Sequence, residues 1–427
     1  MAWGMFGFLL VLVLLGMPIA LAVGSIILFY IWAIGDVPLI IIPQQTIGAI
    51  DSFLLLAVPM FLLTGQLMGD ADASRRLVRF SQSLVGWVRG GVGQVNVLTN
   101  LFMAGISGSA LADAAATGSA LVPIMKRAGY GAAFSAALTA SAACIGPIVP
   151  PSIIMVLIGG LTTVSIGRMF LGGIVPGILL ALAFGVVVYV TARRRNIPRS
   201  DAFSAREVLV SFWGALPSIG LPAIIIGGIL SGVFTPTESA GIAAVYTILL
   251  GVVYRKLSWR VFYRTVVDVG VTTAAIMFVV GVSGTFGWIL ASQSIGQYIV
   301  DGLVGITNDK TLMLLIIAGV LLVLGCVLET LPTLVLAVPV LMPLVVQIGI
   351  DPVQFGVVAA VALATGLIIP PFGLVMFLMC RMAGVKMGEF AREVIPFLAV
   401  MIGAMVLLVV FPELILWVPN HVLGSSP

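Results

Sequence analysis

Gly146-Pro147-Ile148-Val149-Pro150-Pro151 and Gly366-Leu367-Ile368-Ile369-Pro370-Pro371 are one short phrase written twice, 220 residues apart (146 to 366). The same shift carries Gly105 onto Gly325, Pro123 onto Pro343 and Ile174-Val175-Pro176 onto Val394-Ile395-Pro396 without a gap. One such match arises by chance, but a set in a single register marks an internal repeat. Each proline pair removes two consecutive backbone donors and pushes the residue before it out of helical geometry. Each also falls inside an apolar run, 131–165 and 354–388, long enough to span a bilayer with an unwound waist. Non-helical backbone survives in hydrocarbon only where protein encloses it or it lines a cavity. The carbonyls of Gly146, Val149, Gly366 and Ile369 are therefore candidate cation ligands, although kinking of a spanning helix by proline is the simpler use of the same residues.

Composition agrees with a bilayer setting. Hydrophobic residues make up 61% of the 427 and charged ones 8%, against about 25% charged in a soluble domain. At ~20 apolar residues per crossing, the chain has room for about ten spans. The net charge of +4 comes from 20 Lys and Arg against 16 Asp and Glu. The basic residues sit in loops between apolar runs, a pattern of membrane topology rather than of nucleic-acid binding. The stretch from Met1 to Tyr30 lacks any basic residue and reads as a retained membrane helix rather than a cleaved leader. Cys144, Cys326 and Cys380 all lie in apolar segments with no histidine nearby, as small buried hydrophobes do.

The apolar runs place spans near 1–16, 18–34 and 51–69, then a basic surface segment, a hairpin near 93–125, a broken span near 131–165 and a span near 171–192. The second half repeats this with spans near 209–231, 239–254 and 265–289, a hairpin near 313–349, a broken span near 354–388 and a last span near 393–416. Residues 70–90 hold Arg75, Arg76, Arg79 and Arg89, whereas the partner stretch 290–310 has no positive residue before Lys310. The cluster Arg193-Arg194-Arg195 with Arg199 has as its partner a stretch, Phe411 to Asn420, without Lys or Arg. Because cytoplasmic loops are enriched in Lys and Arg, the two halves are expected to be inverted, as in secondary transporters whose repeats each contribute half of a midplane site. The expected fold is thus an all-α polytopic membrane protein of two inverted-topology repeats, each with a re-entrant helical hairpin and a broken helix. Residues 70–92, ending near Trp87, read as an interfacial helix; Arg255, Lys256, Trp259, Arg260, Tyr263 and Arg264 read as a second cytoplasmic anchor.

The first hairpin, Gly105 to Ser119, is rich in small and hydroxyl residues. Close helix approach explains the small ones. Ser107-Gly108-Ser109 beside Asp113 asks for more, because an intramembrane carboxylate is expensive and usually functional. Under the 220-residue shift Ser109 corresponds to Glu329, followed by Thr330, so both tips carry oxygen ligands. The helices after the tips aim positive dipole ends inward, suited to an anionic solute. Thr235-Pro236-Thr237-Glu238 reads as a helix cap. Arg168 and Arg381, at span ends, are expected at the interface. A serine protease would need a base and a zinc enzyme a ligand set, yet the only histidine is His421. A channel is compatible with re-entrant hairpins, but paired hairpins facing paired broken helices suit a gated carrier better; no enzyme activity is expected.

At these motifs the chain resembles the large membrane subunit of TRAP transporters (tripartite ATP-independent periplasmic transporters), within the wider ion-transporter superfamily. The matching stretches are Gly-Met-Pro-Ile-Ala at 16–20, Ala112 to Ala116 with Pro123-Ile124-Met125 and Gly129-Tyr130, Gly146 to Ser152, Thr235 to Glu238, and Gly366 to Gly373. The resemblance implies an elevator-type carrier in the bacterial inner membrane. Transport-domain pieces at 93–170 and 311–390 would move against scaffold pieces at 1–92, 171–310 and 391–427. It implies two partners, a small four-helix membrane subunit and a periplasmic solute-binding protein, and a small organic acid driven by sodium, with no other cofactor. Its cation sites fall here on Ser107, Ser109, Gly146, Val149 and Pro150, and on Gly325, Glu329, Thr330, Gly366 and Ile369. Its solute contacts fall on Gly108, Asp113, Pro151, Ser152 and Pro371. The chain departs from the family at Glu329, where Asp is usual, which sets the carboxylate about one C–C bond farther out. The alternative within the superfamily is a self-sufficient dicarboxylate symporter that needs no binding protein.

Overall fold

A computed structural model of the chain describes residues 7–8, 11–12, 15–34, 37–70, 73–197, 203–292, 305 and 307–424. The described residues form helices and no strand. The first half holds α1 (Ile19–Ile34), α2 (Ile41–Ile50), a 3-10 turn (Phe53–Leu56), α3 (Ala57–Asp70) and α4 (Ala73–Val85). A hairpin of α5 (Gly91–Ser107) and α6 (Ala110–Arg127) follows, then a broken helix of α7 (Ala132–Ala143) and α8 (Ile153–Leu161), and α9 (Ile166–Arg194). After α10 (Ala205–Leu230), α11 (Pro236–Val253) and α12 (Trp259–Ser292) comes a second hairpin, α13 (Lys310–Val327) and α14 (Thr330–Ile348). A second broken helix, α15 (Pro352–Gly366) and α16 (Leu374–Ala383), precedes α17 (Met387–Val410) and α18 (Glu413–Leu423). Among the described residues seven helices are long and apolar enough to cross a membrane, and an eighth span results if α2 and α3, bent by 60°, cross as one.

Local chemistry sets these boundaries. Ser152, Ser165, Ser204, Asp309 and Asp351 each stand at an N-cap and accept a first-turn N–H, satisfying donors that a helix start leaves orphaned. Thr235 caps α11 with a complete capping box through Glu238, and Thr237 donates instead to the Phe53 carbonyl at 3.0 Å. Both Pro-Pro peptide bonds, Pro150-Pro151 and Pro370-Pro371, are cis. Before the first pair the chain tightens into i→i+3 turns, with Ile145 N–H on the Ala142 carbonyl and Gly146 N–H on that of Ala143.

The amphipathic helix α4 buries Ala73, Leu77, Phe80 and Ser81, a helical spacing. Phe80 packs on Phe102 and Phe212 with ring centroids 5.6 and 5.7 Å away. Arg76 lies 3.9 Å from the Tyr254 ring centroid, and Arg79 pairs with Glu207 at 2.8 Å. Of its expected beginning at 70–72, residues 71–72 lie outside the described residues. So do the span expected at 1–16, apart from a few residues, most of the 290–310 loop, and Arg199.

Two elements differ from the sequence expectation. Pro43, Gln44, Gln45 and Thr46 interrupt the apolar run before 51, yet the chain forms α2 there. Packing overrides the polar residues: α2 lies along α12, with Thr46 and Thr285 hydroxyls bonded at 3.0 Å. The last span, expected near 393–416, instead begins at Met387 and ends at Val410, because Pro412 cannot continue the hydrogen bonding. α18 follows as a separate helix. It is pinned by Arg168, which donates to Asn420 Oδ1 and the Gly424 carbonyl, both at 2.5 Å. Arg168 is thus an internal clasp, while Arg381 is exposed.

The helix boundaries of the two halves coincide to within a few residues when shifted by 220, from α5/α13 through the starts of α9/α17. The broken helices run in opposite directions. At one end of the bundle Phe134, near the start of the first, packs on Phe397 with centroids 5.6 Å apart. There Lys126 also donates to the carbonyl of Ala383, at the finish of the second, at 2.6 Å. At the other end a Cβ on Gly172, just past the first broken helix, would lie 3.1 Å from Val353, at the start of the second.

Candidate functional site

The two hairpin tips open onto a common space. Ser107, Gly108 and Ser109 from the first, and Glu329, Thr330 and Leu331 from the second, line one cavity of about 440 Å³. Pro147 and Leu367 of the two waists also line it, together with Gln66 of α3 and Thr272 of α12. Residues 220 apart in sequence therefore line the same space, at equivalent helix starts: Ser109 is the N-cap of α6 and Glu329 that of α14.

The first tip is tightly hydrogen-bonded. Ser107 Oγ donates to Asp113 Oδ1 at 2.6 Å and accepts the Ser109 N–H at 3.1 Å. Ser109 Oγ accepts the Ala112 N–H at 3.5 Å. Asp113 is fully buried and its Oδ2 has no hydrogen-bond partner. That oxygen is turned toward the waist, for a Cβ on Gly146 would stand 2.6 Å from it. Gly108 has φ +61°, and a Cβ there would lie 2.5 Å from the Pro151 carbonyl oxygen, so the tip rests directly on the waist. At the second tip Glu329 makes no capping bond, and the buried Thr330 Oγ1 has no partner. Below it Gly366 sits against the Gly325 carbonyl and the Cys326 N–H with no room for a side chain.

The remaining candidates are arranged around the cavity rather than in its wall. Asp113 and Ser152, expected at the solute, lie behind the first tip. Ser152 is fully buried, donates to the Pro147 carbonyl at 2.5 Å and caps α8. Pro151 supports Gly108, and Val149 packs on Gly177 of α9. The Gly366 and Ile369 carbonyls accept the N–H groups of Ile369 and Gly373, at 3.2 and 3.0 Å. Pro371 is exposed and outside the cavity lining. All three cysteines are free, Cys144 buried and the others half-buried.

Sequence reading missed Gln66 and Thr272, and also a polar chain behind the first tip, Asn96, Asn100, Thr117 and Thr139, all fully buried. The signal was available: two Asn at i, i+4 in an apolar helix put their amides on one face.

Comparison with known proteins fits this architecture. Residues 6–414 match the family described as tripartite ATP-independent periplasmic transporter, DctM component. The chain is 38% identical over 411 residues to the sialic acid TRAP transporter large permease SiaM of Vibrio cholerae, covering 96% of each. It is 36% identical to the 2,3-diketo-L-gulonate TRAP transporter large permease YiaN of Escherichia coli, covering 94% of this chain and 95% of that one. It is 35% identical to the C4-dicarboxylate TRAP transporter large permease DctM of Pseudomonas aeruginosa, covering 88% of each. The fold is like that of the YdaH transporter of Alcanivorax borkumensis, a structure of unusual topology, with a TM-score of 0.62 at 16% identity over 86% of this chain and 87% of that one. The chain belongs to the DctM family of TRAP transporter large permeases, multi-pass proteins of the inner membrane.

Proposed function

We propose that this permease carries a small organic acid anion inward together with sodium. It would be the large subunit of a three-part system with a small four-helix membrane subunit and a periplasmic binding protein. The observation that carries the reading is the cavity onto which both hairpin tips open, with the hydroxyls of Ser107 and Ser109 on one side and the Glu329 carboxylate and Thr330 hydroxyl on the other. Hard cations take oxygen ligands, and unwound backbone beside a half-helix start is where inverted-repeat carriers hold theirs. The unpartnered Asp113 Oδ2 and Thr330 Oγ1 fit such a group. The cation sites of this reading are Ser107, Ser109 and Asp113 with the waist at Gly146, Val149 and Pro150, and Glu329 and Thr330 with Gly325, Gly366 and Ile369. The starts of α6 and α14 present orphan N–H groups to the cavity, which suits a carboxylate; the solutes named for the relatives point to acids. Hairpins and broken helices move in this reading as a transport domain, 93–170 and 311–390, against the other helices, with the Lys- and Arg-rich end of the bundle toward the cytoplasm.

The test is uptake into proteoliposomes of sialic acid, a C4-dicarboxylate and 2,3-diketo-gulonate, with and without the two partner proteins, under an inward sodium gradient. Uptake of one solute only with all three proteins and only with sodium is the expected result. Sodium-driven uptake by this chain alone would replace the tripartite reading with a self-sufficient symporter. Uptake indifferent to sodium would overturn the coupling.

A further inference from the structure

Behind the first tip runs a continuous hydrogen-bonded chain through three helices. Asn96 Nδ2 of α5 donates to Thr139 Oγ1 of α7 at 2.7 Å, and Thr139 donates onward to the Ser135 carbonyl. Asn100 Nδ2 donates to Asn96 Oδ1 at 2.8 Å. Thr117 Oγ1 of α6 stands 3.1 Å from Asn100 Oδ1 and 2.6 Å from the Asp113 carbonyl, its one proton shared between the two acceptors. Asp113 then holds Ser107, which holds the Ser109 N–H. In a medium where unpaired polar groups are costly, each side-chain link restrains the rotamer of the next, and Thr117 ties the network to the backbone turn of α6 that carries Asp113.

The second half lacks all of this. At the positions 220 residues on stand Ile316, Val320, Ala337 and Ala359 in place of Asn96, Asn100, Thr117 and Thr139, with Thr333 for Asp113 and Val327 for Ser107. Hairpin and broken helix form there regardless, so the fold does not require the polar chain. What differs is the tip. At the first, Ser107 Oγ, Ser109 Oγ and Asp113 Oδ1 are hydrogen-bonded, whereas Glu329 caps nothing and Thr330 Oγ1 is unpartnered.

We propose that the chain Thr139–Asn96–Asn100–Thr117–Asp113 is a positioning network that holds the first tip in cation-binding shape before any solute arrives, while the unbraced second tip takes its shape from what binds. The proposal rests on the sodium reading of the tips given above. Thr117 is the informative residue, because Thr117→Val keeps the shape and removes only the hydroxyl, and Thr117→Ser restores it.

The experiment is equilibrium binding of radioactive sodium, without solute, to the purified permease with its small subunit. Thr247→Val is the control; Thr247 is also fully buried but bonds only within its own helix, to the Ala243 carbonyl. Thr117→Val is expected to raise the half-saturating sodium concentration roughly tenfold at unchanged capacity, the effect of one lost buried hydrogen bond. Thr117→Ser and Thr247→Val are expected to stay near wild type. A merely structural role would lower capacity and leave half-saturation in place, and that result overturns the proposal. If Thr117→Val fails to fold, Thr139→Val at the far end of the chain must show the rise, and a wild-type value there overturns the proposal equally. Absence of sodium binding by the wild type would instead overturn the sodium reading on which the proposal rests.

Discussion

Gly108 shows how much one residue decides. Its φ of +61° costs an L-residue roughly 1–2 kcal/mol, and the oxygen that would meet a Cβ belongs to the backbone of Pro151 and cannot swing aside. Gly108→Ala is therefore expected to cut uptake by at least about tenfold while the protein still reaches the membrane; wild-type uptake would mean that the tip does not depend on its seat on the waist. The oxygen-bearing residues at the tips were legible in the sequence, because Ser, Asp and Glu in an apolar repeat are costly and so stand out. Which of them open to the cavity was not: Asp113 and Ser109 are close in sequence, yet one is sealed behind the tip and the other lines the space.

Among the elements, α11 was the most readable and α2 the least. Thr-Pro-Thr-Glu encodes a capping box through local bonds alone, and it forms, with Glu238 Oε2 accepting the Thr235 N–H at 2.8 Å. Thr235→Ala is expected to cost about 1 kcal/mol, seen as a lower thermal midpoint in detergent; an unchanged midpoint would show that tertiary packing alone sets this helix start. α2 carries little local signal, since its helix is secured by its contact with α12. The ion pair Arg195–Glu393 joins the C-cap of α9 to α17 at 2.7 Å, but both side chains reach solvent. Glu393→Gln is expected to shift stability by less than about 1 kcal/mol in the same melting assay, and a larger loss would mark this contact as a true fastening between the spans.

For the whole molecule, the proposed motion has a direct geometrical test. Gly160, on α8 in the proposed transport part, lies beside Leu54 in the 3-10 turn of the proposed scaffold part, and a Cβ on Gly160 would stand 3.9 Å from that of Leu54. That separation suits a disulfide. In a background free of Cys144, Cys326 and Cys380, the pair Leu54→Cys with Gly160→Cys is expected to cross-link under mild oxidant and to abolish uptake, which reductant restores. Full uptake by the cross-linked protein would rule out sliding of these two parts. The repeat, its register, the membrane setting and the proline-broken helices were all determined by the sequence, because each depends on residue type and spacing along one strand of chain. Only the tertiary structure decided that the two tips share a cavity, that Gln66 and Thr272 join them, and that a hydrogen-bonded chain from Asn96 to Thr117 lies behind one tip and not the other. Those facts depend on which faces of distant helices pack together, and an apolar helix buried on most sides has no periodicity by which its sequence could announce them.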